Sequence, residues 1–227
     1  MRTLAVGDIH GAALSLDALL AAVRPTPRDR LVFLGDYVDR GPDSRGVIDR
    51  LLALKTTHDV TCVRGNHELM MLRARRDAAH RKMWLGVGGL QALASYAPTL
   101  GAAGSLADVP AAHWAFLETG CVDWAETDTH VFVHAGLDPD VPMAEQSESA
   151  LFWEFLTGPI RLDSGKTVVC GHTSQKSGRV LDYGVTICLD TFAYGGGKLT
   201  CLDVDRLQYW QADVLGRVTT DRLEPRD

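Results

Sequence analysis

Thr3-Leu4-Ala5-Val6-Gly7-Asp8-Ile9-His10-Gly11 is a short apolar run that breaks into glycine, aspartate and histidine. The same event occurs twice more before residue 70. Residues 31–34 run into Gly35-Asp36-Tyr37-Val38-Asp39-Arg40-Gly41, and residues 60–63 into Arg64-Gly65-Asn66-His67-Glu68. Asp8 and Asp36 lie 28 positions apart, and Asp36 and Asn66 30, about one strand–helix unit each. Between them, Ala13–Val23 carries Leu16, Leu19, Leu20 and Val23 at helical spacing, closed by Pro25 and Pro27. Residues 44–54 put Val47, Leu51 and Leu54 on one stripe, and a third helix is expected from about Glu68. This alternation predicts a parallel sheet with crossover helices.

The middle of the chain changes character. Helical patches at 80–85, 90–96 and 111–119 are separated by glycine and proline, and two buried strands are expected at 131–133 and Thr167–Cys170. Two hairpins follow, 179–181 with 185–189 and 199–204 with 207–210. A parallel half followed by an antiparallel half predicts an α/β fold of two packed mixed β-sheets flanked by helices. Residues 1–213 read as one domain and 214–227 as a polar, peripheral tail.

The polar residues at the strand ends carry the chemistry. The expected fourth strand ends at His134-Ala135-Gly136 and the fifth at Gly171-His172-Thr173. Ligands bind beyond the carboxyl ends of strands in α/β sheets, so five strands would deliver their polar residues to one edge. Asp8, His10, Asp36, Asn66, His134 and His172 offer hard oxygens and imidazoles without thiolate. That donor set suits manganese, iron or zinc better than calcium or an iron–sulfur cluster. Each motif alone is commonly a capped turn or a polar loop. Three in this order after three strands are a metal site.

Composition bounds the rest. The 227 residues are 46% hydrophobic and 23% charged, with formal net charge −6. This is ordinary globular composition, and a broadly basic nucleic-acid face is not expected. No apolar run reaches membrane-spanning length, so no membrane partner is expected. Five scattered cysteines read as small buried residues in a reducing compartment. The chain passes from Met1 into its first strand without a leader-like segment, and a cytoplasmic address is expected.

Together the motifs GDIHG, GDYVDRG, RGNHE, HAG and GHT resemble those of the calcineurin-like metallophosphoesterases, and within them the bacterial-type phosphoprotein phosphatases. The resemblance covers about residues 1–200 and implies their four-layer sandwich and two divalent metal ions, manganese first and iron or zinc as alternatives. One ion would be held by Asp8, His10 and Asp36, the other by Asp36, Asn66, His134 and His172, with Asp36 and a hydroxide bridging them. His67 would protonate the leaving group, oriented by Asp39. Arg40 would grip the phosphoryl oxygens, helped by Arg64. The implied activity is hydrolysis of phosphoserine and phosphothreonine in proteins, with a phosphorylated protein or peptide as partner.

The alternatives are a nucleotide hydrolase acting on diadenosine tetraphosphate or a similar molecule, and a phosphopeptide-binding module without catalysis. Related nucleotide hydrolases typically have Gln at the place of His10 and another residue at that of Asp39, so both residues favour the phosphatase. Pure binding needs no general acid, so His67 argues against the module.

One departure stands out. Many family members have a second substrate arginine near a tryptophan, but no arginine closely follows Trp153; Glu154 takes a nearby place and Arg161 is the candidate substitute. Tyr194, in the loop after the strand near residue 190, is a candidate for lining the pocket. His58, His80, His113 and His130 are expected at the surface or in caps, Trp84 in the core, and Arg73, Arg75 and Arg76 on a solvated face.

Overall fold

In the computed structural model, which describes residues 1–99 and 101–224, strands β1 (Thr3–Val6), β2 (Arg30–Phe33) and β3 (Asp59–Cys62) run parallel, joined by helices α1 (Ala13–Val23) and α2 (Ser44–Lys55). Helix α3 (Asn66–Arg76) follows, and shorter helices α4 (Ala78–Trp84), α5 (Leu90–Ser95) and α6 (Ala111–Ala115) fill the middle. The second half contributes β4 (Trp124–Glu126), β5 (His130–Val133), α7 (Glu148–Phe152), β6 (Thr167–Cys170), β7 (Leu181–Asp182), β8 (Thr186–Cys188), β9 (Leu199–Asp203), β10 (Gln208–Ala212) and β11 (Val218–Arg222).

The strands form two mixed sheets, ordered β11-β10-β9-β1-β2-β3 and β4-β5-β6-β8-β7. The side-chain period of two sorts each strand between layers. Ala5, Val32, Phe132, Val169, Ile187 and Leu202 point between the sheets and form one apolar cluster. Their neighbours Leu4, Val6, Leu31 and Phe33 face the other way, onto Leu16 and Leu19 of α1 and Val47 and Leu51 of α2. Val131, Val133, Val168 and Cys170 pack outward with Leu151 and Phe152 of α7. Helices, sheet, sheet and helix thus make four layers, as expected. The five cysteines are buried and unpaired. Among the described residues, no helix is long and apolar enough to cross a membrane.

The structure adds two strands to the expected set and corrects the placement of two histidines. The stretch after Val214, read as a peripheral tail, supplies β11, which pairs antiparallel with β10 along its whole length. Its Val218 packs on the core while Thr219, Thr220, Asp221 and Arg222 are exposed. A polar edge strand that discourages further pairing reads as loop in sequence. Strand β4 spans three residues, too few to show a period. His113 and His130 are buried rather than superficial; His113 joins Tyr96 Oη (2.9 Å) to Asp49 Oδ1 (2.9 Å). Arg73 and Arg75 lie on a solvated face as expected, where they pair with Glu148 and Glu118, and Arg75 also lies over the Trp114 ring.

The start of the chain is tied to β2 by Asp29, whose carboxylate accepts from the Arg2 backbone N–H (2.9 Å), the Arg2 guanidinium (2.7 Å) and the Thr26 N–H (2.9 Å). Chiefly through Arg2, these bonds hold the Asp29 carboxyl well below the usual carboxylate range. A carboxyl depressed in this way stabilises the fold above its unfolded pKa and stops doing so as pH falls. Asp29→Asn should cost about 1.5–3 kcal/mol at neutral pH. The gap from wild type should narrow progressively below about pH 4. Denaturant unfolding of both proteins at pH 7 and near pH 3 checks this.

Candidate active site

The parallel strands of both sheets release their chains at a common edge. Asp8 lies two residues beyond β1, Asp36 three beyond β2, His134 directly beyond β5 and His172 two beyond β6, while Asn66 opens α3. The loops approach so closely that two glycines are obligatory. A Cβ on Gly171 would lie 2.0 Å from Asp8 Oδ1, and one on Gly65 2.2 Å from Asp36 Oδ1. His10, Asp36, Asp39, Arg40 and His172 have φ between 46° and 72°, the left-handed region unfavourable for L-residues. Backbone strain of this kind persists only where surrounding structure imposes it, and it gathers at functional sites.

Asp36 is the centre of the cluster. His10 Nε2 is 3.3 Å from its Oδ2, His134 Nε2 3.5 Å from its Oδ1 and His67 Nε2 3.9 Å from its Oδ2. Asn66 Oδ1 is 3.2 Å from His134 Nε2. Two groups have ligand atoms mutually within 4.8 Å, His10–Asp36–His67 and Asp8–Asp36–His134, and Asp36 belongs to both. The second ring nitrogens are anchored: His10 Nδ1 lies 2.9 Å from the Val38 carbonyl and His134 Nδ1 2.8 Å from that of Leu34. Such contacts select the tautomer that leaves Nε2 free to ligate. The His172 N–H donates to Asp8 (3.1 Å), and its ring meets His134 at 5.1 Å with Nε2 3.2 Å from the Trp153 carbonyl.

The charge balance calls for cations. Asp8, Asp36, Asp39, Glu68 and Asp190 are all buried around this edge. Burial, reinforced by Asp190 and Asp36, pushes Asp8 well above the usual carboxylate range. Burial works on Asp36 in the same direction, but His134, His67 and His10 outweigh it and hold it well below that range. Burial pushes His172 down to about 4, leaving a neutral imidazole of the kind that ligates metals. Buried carboxylates on this scale are stable only when paired or metal-bound. Asp8, His10, Asp36, Asn66, His134 and His172 therefore fit divalent ions in donor chemistry and in charge.

A second constellation adjoins the first. His67 Nδ1 is 2.6 Å from Asp39 Oδ2, and Trp84 Nε1 donates to both Asp39 oxygens at 2.8–2.9 Å. Burial pushes Asp39 up to about 8 and His67 down to about 3. The buried dyad thus resists carrying net charge and keeps a proton between Nδ1 and Oδ2. His67 Nε2 faces Asp36. Arg40 Nη1 is 3.2 Å from His10 Nε2, and its guanidinium covers the Tyr194 ring at 4.5 Å. Tyr194 packs edge-on against His10 at 4.8 Å, so it lines the site.

Two expected residues are not brought here. Arg64 turns to Asp123 (2.5 Å) and to the carbonyls of Glu118 and Cys121. Arg161 is exposed and follows Ile160, which exchanges hydrogen bonds with Thr186 at the amino end of β8, the opposite end of the sheet from His172. Residues missed in the sequence also emerge. The Glu68 carboxylate accepts from the backbone N–H groups of Gly65, Asp36 and Tyr37, each at 2.8 Å, and clamps two motif loops together. Trp84 was read as core, and Asp190 carried no signal beyond closing a strand.

This fold and this edge define a metal-dependent phosphoesterase. The family model for calcineurin-like phosphoesterases matches residues 1–200, and the chain belongs to that family. Among curated relatives, a stretch of 85 residues is 47% identical to serine/threonine-protein phosphatase 1 of Salmonella typhimurium, covering 37% of each chain. A stretch of 83 residues is 41% identical to the symmetrical bis(5'-nucleosyl)-tetraphosphatase of Pseudomonas putida, covering 36% of this chain and 28% of that one. The chain thus spans 37% and 28% of these relatives' lengths. Two solved structures share the fold. One is a putative diadenosine tetraphosphatase, with TM-score 0.67 and 22% identity over 97% of this chain and 93% of that one. The other is a serine/threonine phosphatase from Saccharomyces cerevisiae, with TM-score 0.63 and 17% identity over 100% and 81%.

The geometry sets two outcomes. Glu68→Gln replaces one acceptor oxygen with an NH2 facing backbone donors, leaving buried N–H groups unsatisfied; it should cost about 2–4 kcal/mol of stability. Metal content by elemental analysis should fall with it. Arg161→Ala should leave turnover of a phosphomonoester unchanged, whereas Arg40→Ala should lower kcat by about 10²-fold, the scale of one charge-assisted contact to the transferring group. Steady-state kinetics of the two variants separates these roles.

Proposed function

We propose that the chain is a metal-dependent phosphomonoesterase acting on phosphoserine and phosphothreonine in proteins. The observation that carries this reading is the His67–Asp39 contact of 2.6 Å, with His67 Nε2 directed at Asp36. A serine or threonine alkoxide is a poor leaving group and must be protonated as it departs. A phosphate or nucleotide leaving group needs no such help. A buried imidazole with a proton on its outer nitrogen would match the first demand. Asp39 fixes the imidazole's orientation, and Trp84 fixes Asp39.

Arg40 offers its guanidinium fork to the phosphoryl oxygens, braced by the Tyr194 ring beneath it. Two divalent ions held by the six ligand residues, manganese first by donor chemistry, would neutralise the phosphoryl group and acidify a water so that it can attack near neutral pH. The partner under this reading is a phosphorylated protein or peptide. The buried, unpaired cysteines suit a reducing compartment, and a cytoplasmic address goes with the proposal.

The similarity to the P. putida tetraphosphatase supports a second reading, hydrolysis of a dinucleoside polyphosphate on the same edge. Turnover of phosphopeptides against dinucleoside polyphosphates with Mn²⁺ decides between them. Under the phosphatase reading, His67→Asn should lower kcat on an alkyl phosphate by about 10²-fold or more and on an aryl phosphate by less, with metal content unchanged. Equal losses on the two esters would remove His67 as the acid.

A further inference from the structure

Phe155 is 70% exposed, yet it is not loose. Its ring stacks on His172, with centroids 5.0 Å apart and planes 22° from parallel. The segment carrying it is pinned on both sides. The Trp153 carbonyl lies 3.2 Å from His172 Nε2, and the Leu156 N–H donates to Thr173 Oγ1 at 2.8 Å. The chain therefore holds a large apolar ring in water at the lip of the metal edge. A single exposed apolar residue is ordinary, but a ring held in fixed stacking beside a catalytic edge offers a ready apolar face to whatever binds there.

The ring's position identifies what it meets. Contacts run in a row from Tyr194 and Arg40 through His10, Asp36 and His134 to His172 and Phe155. Arg40 joins this series through His10 and Phe155 joins it through His172, so a phosphoryl group gripped by Arg40 at the cluster has the Phe155 ring on another member of the same cluster. Beside Arg40 and Tyr194, a recess of about 340 Å³ combines exposed Leu14 and Val214 with the charged Asp17, Asp43 and Arg50. Exposed Glu154 beside Phe155 repels further negative charge. The Phe155 and Glu154 side offers an anion nothing, whereas an apolar side chain of a peptide gains from the ring.

We propose that Phe155 is a specificity-determining residue that packs against an apolar side chain adjacent to the phosphorylated residue, so that the preferred substrates are phosphopeptides with an apolar, non-acidic neighbour. This rests on the phosphoprotein reading above. The test uses three phosphoserine peptides, identical except for leucine, glycine or glutamate next to the phosphoserine, on either side. Wild type should rank them leucine, glycine, glutamate by kcat/KM. In Phe155→Asn the leucine-to-glycine ratio should fall about tenfold, the worth of one apolar face of contact, and in Phe155→Leu it should largely return. If Phe155 only shields His172, the three peptides lose activity together and the ratio stays put, which overturns the inference; so does a wild-type ratio near one. If no phosphopeptide is turned over while a dinucleoside polyphosphate is, the phosphoprotein reading itself fails and takes this inference with it.

Discussion

The Glu68 carboxylate is the joint on which the site depends. It sits in the first turn of α3 with both oxygens directed at backbone N–H groups, those of Gly65 at the helix start and of Asp36 and Tyr37 in the loop after β2. Without an acceptor these donors would be buried and unsatisfied, at a cost of about 1–3 kcal/mol each. The same bonds hold Asp36 in a left-handed backbone conformation that it would otherwise avoid. Asp36 in turn accepts the His67 N–H at 3.1 Å, so Asp36 and His67 are both indexed to one carboxylate. Although its backbone bonds oppose the shift, burial pushes the Glu68 carboxyl up to about 7, which shows how costly the joint is to keep charged.

That arrangement explains what could be read from the sequence and what could not. Asp8, Asp36, Asn66, His134 and His172 follow short apolar runs, and a parallel sheet necessarily delivers such residues to one edge; their meeting was legible from strand order alone. The four-layer fold was legible for the same reason, since alternating apolar positions at Leu4, Ala5 and Val6 demand partners on both faces. Glu68 was invisible as a clamp because its partners are backbone groups, which carry no residue signature. Trp84 was legible as core but not as the donor that holds Asp39, because a buried indole looks the same in either role until its N–H has a direction.

Arg64 and Arg161 show the converse. Arg64 lies in a motif whose neighbours all reach the site, and in sequence it shares their promise. Its long side chain, however, reaches away from them, and Asp123 with two carbonyls 54 and 57 positions away holds both terminal guanidinium nitrogens, although the buried Nε is left without a partner. Arg161 was a candidate only as the substitute for the second substrate arginine that the resemblance expects near Trp153. The segment before β6 passes Thr173 at Leu156 and Thr186 at Ile160, so it travels from the metal edge to the far end of the sheet before reaching Arg161. Strand polarity sets this, and it is a tertiary property.

The loss of a second arginine changes how the phosphoryl group must be held. With Arg64 paired elsewhere and Arg161 exposed at the far end of the sheet, Arg40 is the arginine that touches the cluster among the described residues, and its placement is itself strained, with φ 66°. Three contacts over-determine it: the Tyr194 ring beneath, His10 Nε2 beside it, and its own N–H on the Gly88 carbonyl at 3.2 Å. A Cβ on Gly88 would approach the Arg40 backbone to 2.7 Å, so the loop after α4 was built around this residue. Preorganisation at one arginine compensates for number: a fork already in its final geometry loses little entropy when the anion arrives. The place beside Trp153 is then free to carry Phe155, and the mouth of the site can distinguish substrates by apolar contact where a second charge would have bound any phosphate alike.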